Sequence, residues 1–523
     1  MLCKSNENKD GFISMSVNRA VLPAPLYTAE QTRVLDSTAI TKFDIPGIKL
    51  MQRAGHAVFA EIIERFPKVR RLTIMCGGGN NGGDGFVVAL LAIQKGFDVQ
   101  LVCVGDDAFI ASLHGEAREA WELLEEINFD YEIYQAGMFF SGELIVDALL
   151  GTGLSGPVYG LFEQAIAQIN RSPSAVFAVD IPSGLCADTG AVLGVAVKAD
   201  VTLSFIGMKR GVFTFEAVDY CGELLFDDLK LPEDVYDCVP VNLFRTTERD
   251  LKECLPARER RAHKGCFGHV LVIGGNLGMG GAALLAAEAA IRSGAGLVSL
   301  ATHPEHVTAS LSRCPEVMVK GVRGAADLNP LLDKADVIVL GPGLGQNAWS
   351  DQMLYAAVAA KKPMVLDADA LNLMALNDRL RKTDQAQKRH WIFTPHPGEA
   401  ARMLGETVEL IERDRFASVE RLQRHCGGAV ILKGAGSLVS AGEACYLCSE
   451  GNPGMAVGGM GDVLSGICGA LLSQGLSPES AARVGVYIHA KAADMRAGIQ
   501  GEAGLLASDL FLAISAVING KCE

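Results

Sequence analysis

Short apolar runs alternate with glycine-rich turns and helical patterns along most of this chain, and that alternation restricts its fold more than anything else. The runs at 71–76, 99–104, 144–147, 175–180 and 200–205 have the length and the Val, Ile, Leu and Ala content of buried strands. Helical patterns such as 86–95, 112–127 and 161–169 lie between them, and Thr28 with Gln31 forms a capping-box pattern opening a helix through about 40, ahead of another over 48–66. Strand, helix, strand in repetition predicts an open, mainly parallel sheet with helices on both faces. The pattern restarts at 270–273, followed by a helix near 281–293, and continues through 297–300, 337–340, 364–366, 391–393 and 429–432. Between the two series, residues 225–261 lose periodicity, carry the charge run Arg258-Glu259-Arg260-Arg261 and contain Pro232, Pro240 and Pro256. The expected organisation is a flexible tail over 1–25, a first α/β domain over 26–240, a linker over 241–254 and a second α/β domain over 255–523.

Charge and apolar patterning narrow the function classes. With 47 Lys and Arg against 61 Asp and Glu, the net charge of −14 works against binding nucleic acid. The first 25 residues lack the continuous apolar core of a secretory signal, and the most apolar later region, 282–301, is broken by Glu288, Arg292 and glycines, so no membrane association is expected. The 14 cysteines are scattered, many inside apolar runs, which suits a reducing cytoplasm. Cys445 and Cys448 lie in a strand-like stretch, where positions three apart point to opposite faces and share no metal. Oligomeric state leaves no readable signature, and a homo-oligomer stays open.

The chemistry gathers in turns that follow strands, the edge at which open α/β sheets bind ligands. The richest is Gly451-Asn452-Pro453-Gly454-Met455-Ala456-Val457-Gly458-Gly459-Met460-Gly461-Asp462. A helix starting near Gly459 would offer free N–H groups to an anion, and an Asp at that mouth suits taking a proton from a hydroxyl that attacks phosphorus. Asp462 is therefore the leading catalytic candidate; a turn whose Asp merely caps a helix is the plainer alternative. Lys433 and Ser437 can reach phosphate oxygens, and the N–H groups of Gly434 to Gly436 can form an anion nest. His396, flanked by prolines, either fixes a turn or touches a ligand. In the first half, 77–85 is glycine-rich but is neither GxGxxG nor a P-loop, and Asn80 and Asn81 offer donors and acceptors for amide or ribose groups. Lys209 could neutralise a phosphate, although an exposed surface lysine is the plainer reading.

NNGGDG at 80–85, VDALLGTG at 146–153 and VDIPSG at 179–184 together resemble the NAD(P)H-hydrate epimerase domain. That resemblance implies a Rossmann-like sheet in which Asn80, Asn81, Gly82, Gly83 and Asp84, with Gly151, Thr152, Gly153, Leu154, Ser155, Gly156 and Pro157, hold the hydrated nicotinamide nucleotide. It also implies a potassium ion on Asn81, Asp147 and Ser183, and Asp180 against the substrate as proton carrier. The loops of the second half, with GMGD at 459–462, resemble the ribokinase-like ADP-dependent NAD(P)H-hydrate dehydratase over 255–520. Carried over, ADP lies on Lys433, Gly434, Ala435, Gly436, Ser437 and Gly461, and the hydrated cofactor on Ala282, Gly343, Gly345, His396 and Asp462, with magnesium as a further cofactor. The expected activity is repair of NADHX and NADPHX: epimerisation of the R and S forms, then dehydration of the S form with ADP converted to AMP and phosphate. A ribokinase-like kinase of a small metabolite, with an N-terminal ligand-binding or interaction domain, stays open, because these residues supply the base but not the acceptor.

Overall fold

The computed structural model describes residues 22–106, 108–255, 257–377 and 385–521, so the expected flexible tail falls outside the described residues up to 21. Seven strands form the first sheet: β1 (Arg71–Cys76), β2 (Asp98–Cys103), β3 (Glu132–Ile133), β4 (Leu144–Ala148), β5 (Ala175–Val179), β6 (Val201–Phe205) and β7 (Glu223–Asp227). Their order is β3-β2-β1-β4-β5-β6-β7, and every neighbouring pair is parallel. The central strands are mainly apolar because both faces are covered, with Thr73 and Asp147 as buried polar exceptions. Leu72, Ile74 and Cys76 enter one apolar cluster while Met75 enters another on the opposite face. Strand order reverses between β1 and β4, which opens a crevice at their carboxyl ends.

The helix after β1 starts earlier than its sequence suggests. It spans Asn80–Gln94, with Gly79 as its N-cap, so the NNGGDG residues form its first turns rather than a loop. These glycines are required by close approach: a Cβ on Gly82 would lie 1.8 Å from the Gly77 carbonyl oxygen, and one on Gly85 would lie 2.6 Å from Cys76 Sγ. The capping box at Thr28 is present, with Thr28 Oγ1 accepting from the Gln31 amide at 3.1 Å and Gln31 Oε1 accepting from the Thr28 amide at 2.9 Å. The apolar part of β7 is only Leu224-Leu225-Phe226 between two acidic residues, and none of its residues is fully buried, so it does not stand out from the sequence.

Ten strands form the second sheet: β8 (Leu243–Arg245), β9 (His269–Ile273), β10 (Leu297–Thr302), β11 (Met318–Gly321), β12 (Val337–Leu340), β13 (Met364–Leu366), β14 (Trp391–Phe393), β15 (Ala429–Leu432), β16 (Ser437–Ser440) and β17 (Cys445–Cys448). Their order is β11-β10-β9-β12-β13-β14-β15-β16-β17-β8. The run from β11 to β15 is parallel, and β16 is antiparallel to both β15 and β17. The 241–254 stretch expected as a linker holds β8, which pairs parallel with β17, and the helix Glu248–Cys254. With only Leu243 and Phe244 apolar before Arg245, β8 lacks the apolar run that marks the other strands. On its far side Leu26 donates to the Leu243 carbonyl at 3.0 Å and Arg245 donates to the Ala24 carbonyl at 2.6 Å. One apolar cluster contains Leu26, Ile181, Met208 and Phe213 of the first half with Leu271, Trp391 and Leu432 of the second. The helix Met460–Ser473 lies close on the helix Gly280–Arg292, where a Cβ on Gly466 would come within 2.1 Å of the Ala286 carbonyl oxygen. Among the described residues no helix is long and apolar enough to cross a membrane.

Candidate active sites

In the first half, the crevice between β1 and β4 gathers the expected residues from three strand ends. The start of the helix Asn80–Gln94 meets the loop after β4 at Asn81 and Gly151, where a Cβ on Gly151 would sit 3.2 Å from the Asn81 Cβ. Asn81 is buried, yet neither its carboxamide oxygen nor its nitrogen has a hydrogen-bond partner. Asp147, at the end of β4, accepts from Ser183 Oγ at 2.6 Å and from the Ser183 amide at 2.8 Å. Burial raises its carboxyl to about 6 against the lowering effect of the Ser183 bonds. An orphaned amide oxygen, a buried carboxylate and a hydroxyl at one crevice are donor types that suit a hard cation. Thr152, Gly153, Leu154, Ser155, Gly156 and Pro157 continue that loop with partial or full exposure.

Asp180 follows β5 and holds a left-handed backbone, φ 66°, uncommon for a residue with a side chain. Its Oδ1 accepts from the Phe205 amide at 3.1 Å and from Ser204 Oγ at 3.4 Å, and pairs with the Lys209 ammonium. Lys209 is thus not a surface lysine: it is 1% exposed, and it also donates to the Phe205 carbonyl at 3.0 Å. A buried ammonium needs a carboxylate, and Asp180 supplies it. Burial, with Asp180 and Asp36 nearby, pushes the Asp84 carboxyl well above the ordinary range, and burial with Glu116 and Asp180 raises Asp36. Three carboxyls, Asp36, Asp84 and Asp180, therefore share the field of one ammonium, an arrangement suited to holding and passing a proton.

In the second half, Gly459 caps the helix Met460–Ser473 with φ 97°, which places Asp462 in its first turn. The preceding turn is tied down by Asp494, which accepts from the Gly451 amide at 2.9 Å and from Asn452 Nδ2 at 2.8 Å. Asp462 is half-buried. Burial first and the Asp367 charge second raise its carboxyl to about 7, with Lys433 acting the other way. Asp367, at the end of β13, is buried and accepts from Lys433 Nζ at 2.9 Å, Thr394 Oγ1 at 2.7 Å and Ser465 Oγ at 2.6 Å. Burial would raise Asp367, but Lys433 and these hydroxyls hold it below the ordinary range. Lys433 Nζ also lies 3.7 Å from Glu399 Oε2 and faces Gly461, where a Cβ would be 3.3 Å away. His396 caps the helix Pro397–Leu404: its Nδ1 accepts from the Gly398 amide at 3.0 Å while its Nε2 lies 3.5 Å from Glu399 Oε1. Burial, with Lys433 and Arg402, lowers its pKa and favours a neutral imidazole.

The remaining expected residues form an adjoining wall. A Cβ on Gly343 would lie 3.1 Å from the Ala282 Cβ, and Asn276 donates its amide to the Gly343 carbonyl at 2.7 Å. Gly345 donates its amide to Asp369 Oδ2 at 2.8 Å, and Asp369 in turn adds to the raised Asp462. Ser437 Oγ closes the 433–437 loop on the Gly434 carbonyl at 3.0 Å.

The sequence family described as NAD(P)H-hydrate dehydratase matches residues 270–515, and that described as YjeF-related protein N-terminus matches residues 47–211. The bifunctional NAD(P)H-hydrate repair enzyme Nnr of Coxiella burnetii is 46% identical over 495 residues, covering 94% of this chain and 99% of its own. The chain belongs to the bifunctional NAD(P)H-hydrate repair enzymes. The member of this family from Escherichia coli is 42% identical over 510 residues, covering 97% of this chain and 96% of its own. A solved ribokinase-like superfamily protein from Enterococcus faecalis superposes with a TM-score of 0.50 at 29% identity, covering 54% of this chain and 96% of that one.

Several residues that the structure brings to these candidate sites carried no expected role. Asp367 and Asp369 stand in the Asp367-Ala368-Asp369 turn after β13, a signal visible in sequence but undecidable without knowing that Asp367 meets Lys433. Glu399, three residues after His396, lies against both His396 and Lys433. Asp36 lies in the helix Ala29–Lys42, far in sequence from Asp84 and Asp180, and nothing local marks it.

Proposed function

We propose that this chain carries out both steps of NAD(P)H-hydrate repair, with the first-half site interconverting R and S NADHX and NADPHX and the second-half site dehydrating the S form with ADP. The observation that carries the second step is Asp462, in the first turn of a glycine-capped helix, with a carboxyl near 7 and Lys433 beside the same helix start. A carboxylate of that basicity takes the proton of the substrate hydroxyl as its oxygen bonds to the β-phosphorus of ADP. The bond from that phosphorus to the bridging oxygen breaks, and AMP leaves. Gly461 and the free amides of the helix start steady the transferred phosphoryl group. The phosphate ester then leaves as inorganic phosphate, with loss of a ring proton, and the dihydropyridine returns. Lys433, Gly434, Ala435, Gly436 and Ser437 would line the nucleotide, and Ala282, Gly343, Gly345 and His396 the hydrated cofactor.

At the first site Asp180, held by Lys209 and the Phe205 amide, carries the proton during epimerisation, with Asn80 to Asp84 and Gly151 to Pro157 around the nucleotide. Asn81, Asp147 and Ser183 would hold potassium, which when bound supplies positive charge beside an anionic dinucleotide. Magnesium would come to the second site on the nucleotide phosphates, where it offsets their charge.

Incubation with chemically hydrated NADH tests this reading. Dihydronicotinamide absorbance should return with ADP, with AMP and free phosphate formed in equal amounts. A stable phosphorylated product and no return of absorbance would replace dehydratase by a small-metabolite kinase.

A further inference from the structure

The loop proposed above for ADP is shaped by a residue of the other half. Thr214, fully buried after β6, donates its hydroxyl to the Ala435 carbonyl at 3.0 Å and accepts from Arg415 Nε at 3.0 Å. Arg415, itself 1% exposed, spends its remaining donors on Glu412 at 3.1 Å, the Leu432 carbonyl at 3.3 Å and the Lys433 carbonyl at 3.2 Å. Its guanidinium lies flat against Gly434, where a Cβ would come within 2.8 Å of two of its nitrogens. On the other side, a Cβ at Gly436 would lie 2.1 Å from the Phe213 carbonyl oxygen. Gly434 to Gly436 is therefore clamped between Arg415 and the Phe213–Thr214 backbone, and both glycines have left-handed backbones, φ 142° and 65°.

The clamp is anchored from both directions. Arg245 lies over the Phe213 ring at 5.2 Å, and Arg210 lies over the Phe416 ring at 4.6 Å. The segment also begins at Lys209, the partner of Asp180, so a few residues run from the first site to the back of the second. A buried hydroxyl that both donates and accepts fixes the orientation of each partner, and losing it leaves a carbonyl and a guanidinium nitrogen unpaired.

We infer that Thr214, in the epimerase half, is a positioning residue for the ADP loop of the dehydratase half, acting through Ala435 and Arg415 without touching the nucleotide. This rests on the assignment of the 433–437 loop to ADP. The test compares the full-length wild type with Thr214→Val, which keeps the shape but loses the hydroxyl, and Thr214→Ser, which restores it. In Thr214→Val the KM and the calorimetric Kd for ADP should rise roughly tenfold, the scale of a lost hydrogen bond to a charged group. The kcat, the KM for hydrated NADH and the epimerisation rate should stay within about twofold, and Thr214→Ser should return ADP binding toward wild type. Arg415→Lys, which keeps the charge but not the fork, should raise the ADP KM likewise and serves if Thr214→Val does not fold. Unchanged ADP affinity in a folded Thr214→Val or Arg415→Lys, or a fall in kcat that serine does not rescue, overturns the inference while leaving the repair activity intact. A wild type that neither binds ADP nor restores absorbance with it overturns the ADP assignment and the inference together.

Discussion

Replacing Asp462 by asparagine keeps the size of the side chain and removes its capacity to accept a proton. Nucleotide-dependent recovery of absorbance should fall by roughly a hundredfold or more, with circular dichroism unchanged. Because the wild-type carboxyl sits near 7, it is protonated and idle in acid, so the dehydration rate should rise with pH through about 7 and level off above it. The Asp367 charge is the second cause of that elevation, after burial. Asp367→Asn removes it and leaves Lys433 closer to an unopposed cation, so the acid limb of the pH–rate profile should move to lower pH. A limb that stays in place would mean Asp367 does not set the basicity of Asp462. The same variant should melt earlier, since Lys433, Thr394 and Ser465 all lose a charged acceptor.

Two helices owe their placement to glycines that admit no side chain. Gly466→Ala would drive a methyl into the Ala286 carbonyl and should cost about 3 kcal/mol, read as an earlier melting transition. Gly82→Ala would push the start of its helix off the Gly77 carbonyl, displacing Asn81 from Gly151, and should remove epimerisation while ADP-dependent dehydration continues. Loss of both activities together would show that the change unfolds more than this helix. The central strands were legible from sequence because burial on both faces leaves a mainly apolar run, as in 175–179 and 337–340. β7 and β8 were not, β7 being half-exposed and β8 carrying only two apolar residues before Arg245. The same limit applies to the sites: Asp462 could be read from its own turn, since a glycine-capped helix start is local. Lys209 could not, because its burial depends on Asp180, which arrives from a different strand.

Two chemical centres in one chain should be separable by substitution. With Asp180→Ala, a mixture of hydrated epimers given ADP should be consumed in two phases, one fast and one limited by spontaneous epimerisation, whereas the wild type should show a single fast phase. Equal rates for both phases in the variant would remove the epimerase role from the first half. The stitching of Ala24 and Leu26 onto β8 has a further effect on how the whole molecule behaves in a crowded solution. A sheet that ends on a bare strand offers unpaired amides to any other chain, and so can seed aggregation. Here residues 24 and 26 turn their bonding groups inward to β8, and the position between them, facing outward, is Pro25, which has no N–H to offer. Pro25→Val should therefore raise light scattering on standing at high concentration without altering either activity. A fragment beginning at 255, stripped of both layers, should leave Cys445-Tyr446-Leu447-Cys448 as an open edge and scatter more light than the whole chain at the same concentration.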